Sequence, residues 1–219
     1  MSDLISISST LAASLTTSYP VENFLWIVKL VRPLDNLRSP RVFLASMGSV
    51  YDSTTDTVEV VVKMASSPTA ISELEAEDGT YRQLDGLQGK SIPECYGLYN
   101  GMIDGVPYKC LLLEYCNPDK GLAVTYNEKL RCDIMLRMAA IHALGIVHGN
   151  ITDSTHIIVQ DGMPRIISFS KAVFHKRVCH GIPFVHCSNG RTLRAPCCPE
   201  LAGIASCYGF NRGYPPISE

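Results

Sequence analysis

Two polar loops lie close together in the sequence, among apolar segments. The stretch Ile141–Lys171 predicts the end of a helix, a sharp polar loop, a strand, a turn at Asp161–Gly162 and a second strand. Asn150 lies in the first loop, and Ser168 follows the second strand. An amide can hydrogen-bond and position a group, and a serine offers one neutral oxygen, but neither supplies a carboxylate. These residues can therefore orient a ligand, whereas proton abstraction and strong binding of a hard cation need other groups.

A second candidate pair combines a strand lysine with an acidic helix. Lys63 ends the sequence V-V-V-K, which has the β-branched density of a strand. The helix that follows carries Glu73, Glu75, Glu77 and Asp78. One interpretation is a salt bridge between Lys63 and one of these carboxylates. A solvent-facing lysine and a solvent-facing acidic stripe are the alternative interpretation.

The elements that must position these residues follow in a regular order. Strands are predicted at 41–51 and 58–64, and apolar residues at helical spacing predict a helix from Ile71 to Leu84. Residues 1 to about 20 resemble a mobile tail. A hairpin is predicted at 95–115, with turn signals at Asn100–Gly101 and Asp104–Gly105. After a break near Pro118, a helix runs from about Leu130 to Leu144 and ends at Gly145, and a last helix is predicted from Pro199 to Tyr208.

This order of elements resembles the protein-kinase-like superfamily, and more closely the short kinase-like proteins common in fungi. The resemblance covers about 41–171 and extends toward Glu200. It implies an α+β, two-lobed fold, in which a small antiparallel sheet with one helix packs on a truncated, mainly helical lobe. In that frame 1–35 is a tail and flanking segment, 36–116 is the first lobe, and 117–219 is the second.

The resemblance gives nucleotide-binding roles to residues of the first lobe. Lys63 matches the family's third-strand lysine, which holds the nucleotide phosphates, and Glu77 matches the helix glutamate that pairs with it. Glu114 falls where the hinge lends backbone groups to adenine. The residues in register with the glycine-rich loop are Phe43, Ala45, Gly48 and Val50. Only the third glycine is present, which weakens close wrapping of phosphate by backbone N–H groups.

In the second lobe, the resemblance locates the two substituted positions. The letters H-G-N-I match H-R-D-L and put Asn150 at the catalytic aspartate, while S-F-S matches D-F-G and puts Ser168 at the aspartate that binds Mg²⁺. A strict count to the family's metal-ligating asparagine ends at Thr155. A slip of one residue gives His156, which is either a metal ligand or a loop histidine in a hydrogen-bond network.

These substitutions imply a degenerate domain, or pseudokinase, with phosphoryl transfer largely lost. We expect it to bind ATP weakly or not at all, to lack a good Mg²⁺ site, and to act through an unidentified protein partner. The rival is an active protein kinase or small-molecule phosphotransferase with Asp153 or Asp161 replacing the lost carboxylates. A third interpretation is a fragment of a longer kinase, because Pro199–Glu200 resembles the A-P-E that closes an activation segment.

Cysteines and histidines are concentrated after Lys171. Four of them could together bind zinc, although their spacing matches no standard zinc finger. The candidate ligands are Cys179, His180, His186, Cys187, Cys197 and Cys198.

Composition limits the remaining classes of function. Hydrophobic residues make up 46% and charged residues 18%, which predicts a folded domain. A net charge of −2 without a long basic run argues against nucleic acid as a partner. The start of the chain lacks the pattern of a signal or mitochondrial targeting peptide, and its longest apolar stretch is too short to span a membrane. We therefore expect a cytoplasmic or nuclear protein with no membrane partner.

Overall fold

The computed structural model describes residues 4–5, 26–34, 41–49, 57–103, 106–119, 128–151, 154–175, 179 and 198–208. The chain is a mixed α+β protein that divides into two compact units. The sheet unit comprises 1–82 and 94–115, and the helical unit comprises 83–93 and 116–219.

The sheet unit contains one antiparallel sheet of six strands and the helix α1, which spans Pro68–Gln83. The strand order is β1-β2-β3-β4-β6-β5. These strands are β1 (Leu4–Ile5), β2 (Trp26–Pro33), β3 (Arg41–Ser49), β4 (Val58–Ala65), β5 (Cys95–Ile103) and β6 (Val106–Glu114). The sheet and α1 are compatible with the first lobe that the resemblance implies.

Successive side chains of β4 lie on opposite faces of the sheet and have different surroundings. Val60, Val62 and Met64 join the main apolar cluster of the sheet. Because successive strand residues point to opposite faces, Lys63 projects from the other face. The alternation of valines that predicted the strand therefore also decides which way its lysine points.

Two local predictions in this unit were wrong. The expected tail is not wholly unstructured, because Leu4 pairs with Lys29 and Ile5 pairs with Val28 as an added edge strand. Asn100–Gly101 is not a turn but lies inside β5, where Gly101 pairs with Tyr108 of β6. The register of the hairpin places its reversal after Ile103, which pairs with Val106. The predicted turn at Asp104–Gly105 lies outside the described residues.

The helical unit is built around α2, which spans Glu128–Ala143 and packs against two strands and a second helix. Its inward face carries Leu130, Ile134, Met138 and Ile141, the same stripe that predicted the helix. The other elements are β7 (Ile146–Val147), β8 (Ile157–Gln160), β9 (Met163–Ile166), β10 (Val173–Phe174) and α3 (Pro199–Cys207). The strands form two small antiparallel pairs, β7 with β10 and β8 with β9.

Residues 83–93 belong to the helical unit, whereas the sequence placed them in the first lobe. The backbone explains this, because the N–H of Ile166 donates to the carbonyl of Ser91 at 2.8 Å. Arg165 also donates to the carbonyl of Ile92 at 3.3 Å. Long-range bonds to β9 thus decide where this short connection packs.

Candidate functional site

Lys63 and Glu77 form a buried ion pair in the sheet unit. The Nζ atom of Lys63 lies 2.6 Å from Oε1 of Glu77, whose side chain is only 1% exposed. The buried face of α1 explains the contact, since Ala70, Leu74 and Tyr81 repeat at helical spacing with Glu77 among them. The salt bridge predicted between these two residues is therefore present, while its role in binding a nucleotide stays a prediction.

Other acidic residues of α1 have different surroundings. Glu75 pairs with Lys109 at a more exposed position. Asp78 pairs with Arg82 at 2.5 Å, yet burial raises the pKa of Asp78 above its ordinary value. Glu77 is the acidic residue of α1 that bonds to the strand lysine, through its Oε1 atom.

The three residues Phe43, Ala45 and Gly48, which are in register with the glycine-rich loop, all lie within β3. Gly48 lies within β3 and pairs with Ile27, and Ala45 pairs with both Leu30 and Val60. Backbone groups inside a sheet bond to neighbouring strands and cannot wrap a phosphate as an open loop would. Val50 lies outside the described residues.

Glu114 ends β6, where the hinge was expected to begin. Its backbone N–H donates to the carbonyl of Glu94 at 2.8 Å, and its carboxylate accepts the N–H of Glu94 at 3.0 Å. This reciprocal pair fixes the end of the hairpin. Whether neighbouring backbone groups contact adenine stays a prediction.

In the helical unit, His148 anchors the loop that contains Asn150. The imidazole is fully buried, and its Nε2 lies 2.9 Å from the carbonyl oxygen of Ile167, directly before Ser168. The ring also packs on Phe169, with ring centroids 5.0 Å apart. The first polar loop is thus bonded to the segment that carries Ser168.

Asn150 and His156 are also brought together. The amide Nδ2 of Asn150 lies 3.3 Å from Nε2 of His156, and Nδ1 of His156 lies 3.1 Å from the Thr155 hydroxyl. His156 ends a short 3-10 turn, Ser154–His156. This geometry favours the hydrogen-bond interpretation of His156, because both ring nitrogens have a polar neighbour in the protein.

Both loops contain strained or crowded backbone. Gly149 has φ +81°, and a Cβ added there would overlap the carbonyl oxygen of Lys171. Ser168 has φ 68°, a conformation that costs a residue other than glycine about 1 kcal/mol. The tertiary structure imposes this conformation on Ser168 despite its side chain.

Glu200, from the first turn of α3, binds the backbone of the His148 loop. Its Oε2 accepts the N–H of His148 at 2.9 Å, and its Oε1 accepts that of Gly149 at 2.6 Å. Oε2 also lies 2.7 Å from Nε2 of His142. Burial opposes ionisation of Glu200, but the bonds from His142, Gly149 and His148 outweigh it and hold its pKa below the ordinary value. The sequence indicated Glu200 only through the letters P-E and gave no sign of this role.

The structure places only one of the two replacement carboxylates. Asp161 has φ 52° and lies in the turn between β8 and β9. The carboxylate of Asp119 accepts the N–H groups of Asp161 and Gly162 at 2.9 and 2.8 Å, which fixes this turn. Asp161 is therefore a turn residue, and Asp153 lies outside the described residues.

A separate cluster of possible metal ligands contains His142, His175, Cys179 and Cys198. Cys179 and Cys198 were among the predicted zinc ligands, whereas His142 and His175 were not. The other four candidates, His180, His186, Cys187 and Cys197, lie outside the described residues. Sequence spacing missed His142 because it lies on α2, far from the cysteine-rich stretch.

Among the described residues, no helix is long and apolar enough to cross a membrane.

No protein-family model matches the chain. The chain is similar to the serine/threonine-protein kinase WAG1 of Arabidopsis thaliana, with 26% identity over 145 residues. The match covers 61% of this chain but 29% of that kinase, so the chain spans less than a third of the relative's length. The weak similarity and the α+β architecture together point to a protein-kinase-like relationship.

Proposed function

We propose that this chain is a degenerate protein-kinase-like domain that acts by binding a partner protein and transfers little or no phosphate. The observation that carries the proposal is the pair of neutral residues, Asn150 and Ser168, in a loop region whose backbone is bonded to the side chains of His148 and Glu200. The similarity to a plant kinase supports the kinase-like part of the proposal, and the register that assigns these two positions rests on the sequence motifs.

Phosphoryl transfer depends on charges that these residues do not provide. The catalytic aspartate accepts a proton from the substrate hydroxyl, and a second aspartate binds Mg²⁺ on the phosphates. The amide of Asn150 cannot act as a carboxylate base, and Ser168 is a poor ligand for a hard cation. Glu200 is not a substitute, since both of its oxygens accept bonds from the loop backbone.

The bonds that His148 and Glu200 make to the loop backbone do not use the side chains of Asn150 and Ser168. His148 bonds to the carbonyl of Ile167, and Glu200 binds the N–H groups of His148 and Gly149. The loop can therefore keep its shape while Asn150 and Ser168 are neutral. This combination supports a domain that presents a defined surface to another protein.

Weak nucleotide binding is part of the proposal. The buried Lys63–Glu77 pair supplies an oriented cation of the kind that holds phosphates. The segment expected to wrap them is instead part of β3, which removes one source of affinity. We therefore propose that ATP binds weakly at most and that Mg²⁺ adds little.

The finer resemblance to short fungal kinase-like proteins and a cytoplasmic or nuclear location belong to the same proposal. Nucleic acid and membranes are not among the proposed partners. The rival hypothesis is an active phosphotransferase in which Asp153 or Asp161 replaces the lost carboxylates. Because Asp161 is a turn residue, that hypothesis rests on Asp153, and no geometry of the described residues favours it.

The test combines binding and turnover on purified protein. We expect no transfer of the γ-phosphate of ATP to generic protein or small-molecule acceptors or to the chain itself. Any thermal shift with ATP should be the same in Mg²⁺ and in chelator. Mg²⁺-dependent transfer that is lost in a folded Lys63→Met/Glu77→Leu variant would overturn the proposal.

A gain-of-function variant tests the assigned register. In Asn150→Asp/Ser168→Asp, both carboxylates return to their proposed positions, and we expect a thermal shift with ATP that requires Mg²⁺. The control Ser170→Asp adds a carboxylate two residues away and should produce no such shift. An equal response from both variants would contradict the assignment of Ser168.

A further inference from the structure

Four potential metal ligands converge at one place in the helical unit. His142 comes from the last turn of α2, His175 follows β10, and Cys198 directly precedes α3. Cys179 completes the group, and one ligand atom from each residue lies within 4.8 Å of all the others. His142, Cys179 and Cys198 are buried, and His175 is partly buried. The tertiary structure thus gathers distant segments into a compact set of two nitrogens and two sulfurs.

Two of the separations between ligand atoms match a tetrahedral zinc site. With Zn–N near 2.05 Å and Zn–S near 2.3 Å, tetrahedral angles place two nitrogens about 3.3 Å apart and a nitrogen and a sulfur about 3.6 Å apart. Nδ1 of His142 lies 3.2 Å from Nε2 of His175 and 3.4 Å from Sγ of Cys198. His142, His175 and Cys198 therefore have nearly the spacing that a central ion would require, and the ligand atom of Cys179 lies within 4.8 Å of each of them.

A bond on the opposite side of the ring orients His142. Its Nε2 lies 2.7 Å from Glu200, so donation of the Nε2 proton leaves a lone pair on Nδ1 directed at the cluster. Histidines that ligate metals commonly donate their other ring N–H to a carboxylate in this way. Glu200 thus supplies the outer partner that a zinc-bound His142 would need.

We propose that His142, His175, Cys179 and Cys198 form a structural zinc site. Four protein ligands close the coordination sphere and leave no open position for water or substrate, which assigns the ion to folding and not to catalysis. The ion would bind the end of α2 and the start of α3 to the segment after β10. This proposal is independent of the proposed pseudokinase function.

The site has a consequence for the His148 loop. Glu200 contacts His142 on one side and the N–H groups of His148 and Gly149 on the other. Because metal binding is coupled to folding of the segments that supply the ligands, removal of zinc should loosen this loop as well as the cluster. The zinc site would then serve as a brace for the region that carries Asn150.

The first experiment measures metal in the full chain, purified under reducing conditions without chelator. We expect about one zinc per chain by elemental analysis, as a four-ligand structural site requires. Cobalt substitution should give the absorption of a tetrahedral ion with two thiolate ligands, which identifies the ligand set without any mutation. The proposal would be overturned if the reduced, folded protein bound neither zinc nor cobalt. It would also be overturned if mass spectrometry of that protein found a Cys179–Cys198 disulfide.

Variants then test the individual ligands. Cys198→Ser and His175→Asn should lose zinc and lower the thermal midpoint, whereas Cys207→Ser, an exposed cysteine of α3, should keep both. Retention of stoichiometric zinc by Cys198→Ser would reject this ligand set. A zinc content that falls only when His186 or Cys187 is changed would reject it too.

Discussion

The sheet unit and the helical unit hold their buried polar groups in different ways. In the sheet unit, Lys63 and Glu77 bond to each other through their side chains. In the helical unit, His148 and Glu200 hold the loop through bonds to the backbone of Ile167, His148 and Gly149. A bond between two side chains is lost when either residue is replaced. A bond to a backbone N–H or carbonyl remains possible when the side chain of that backbone residue is replaced. The His148 loop is thus held by bonds other than those of the Asn150 and Ser168 side chains.

The largest loss of stability is expected when the Lys63–Glu77 pair is broken. Lys63→Met leaves the carboxylate of Glu77 buried without its cation, and such a loss costs about 3–5 kcal/mol. The double variant Lys63→Met/Glu77→Leu removes both charges and should recover most of that stability. Urea unfolding followed by circular dichroism measures the difference.

A matched control comes from the more exposed pair of the same helix. Lys109→Met breaks the contact with Glu75 and should cost less than about 1 kcal/mol, since water screens that pair. If Lys63→Met and Lys109→Met lowered the free energy of unfolding equally, burial of the Lys63–Glu77 pair would have no effect on its contribution to stability.

The second test breaks the backbone of the loop. In Gly149→Ala, the new methyl group would overlap the carbonyl of Lys171 at a φ that disfavours alanine, so we expect a loss of about 3 kcal/mol. For a chain of this size that corresponds to a fall in thermal midpoint of roughly 6–12 °C.

Gly203→Ala in α3 is the control, because nothing lies within 4 Å of the added Cβ and alanine favours a helix. It should be neutral or slightly stabilising. A Gly149→Ala protein as stable as the parent would show that the loop is not held as tightly as its bonds indicate.

The smallest effect is expected from relief of strain at Ser168. Ser168→Gly should raise stability by up to about 1 kcal/mol, because glycine adopts a positive φ without the cost that serine has. Ser170→Gly, at a position without positive φ, should be neutral or destabilising. Thermal midpoints of the two variants and the parent protein measure these effects. A midpoint for Ser168→Gly below that of the parent would mean that the serine side chain itself stabilises the loop.

Local pattern predicted much of the secondary structure, and the resemblance to kinases predicted the buried ion pair. Alternating valines predicted β4, helical spacing predicted α1 and α2, and the resemblance paired Lys63 with Glu77. The same methods failed for Leu4–Ile5 and for Asn100–Gly101. Short edge strands and hairpin registers depend on pairing with distant residues, which local signals do not contain.

The sequence by itself determined that Asn150 and Ser168 carry no charge, because no fold can turn an amide or a hydroxyl into a carboxylate. The tertiary structure alone decided how the surrounding residues are used: Glu200 binds the loop backbone, and His142 meets His175, Cys179 and Cys198. Those contacts join segments far apart in the chain, and only the packing of α2, β10 and α3 in one unit brings their side chains within bonding distance.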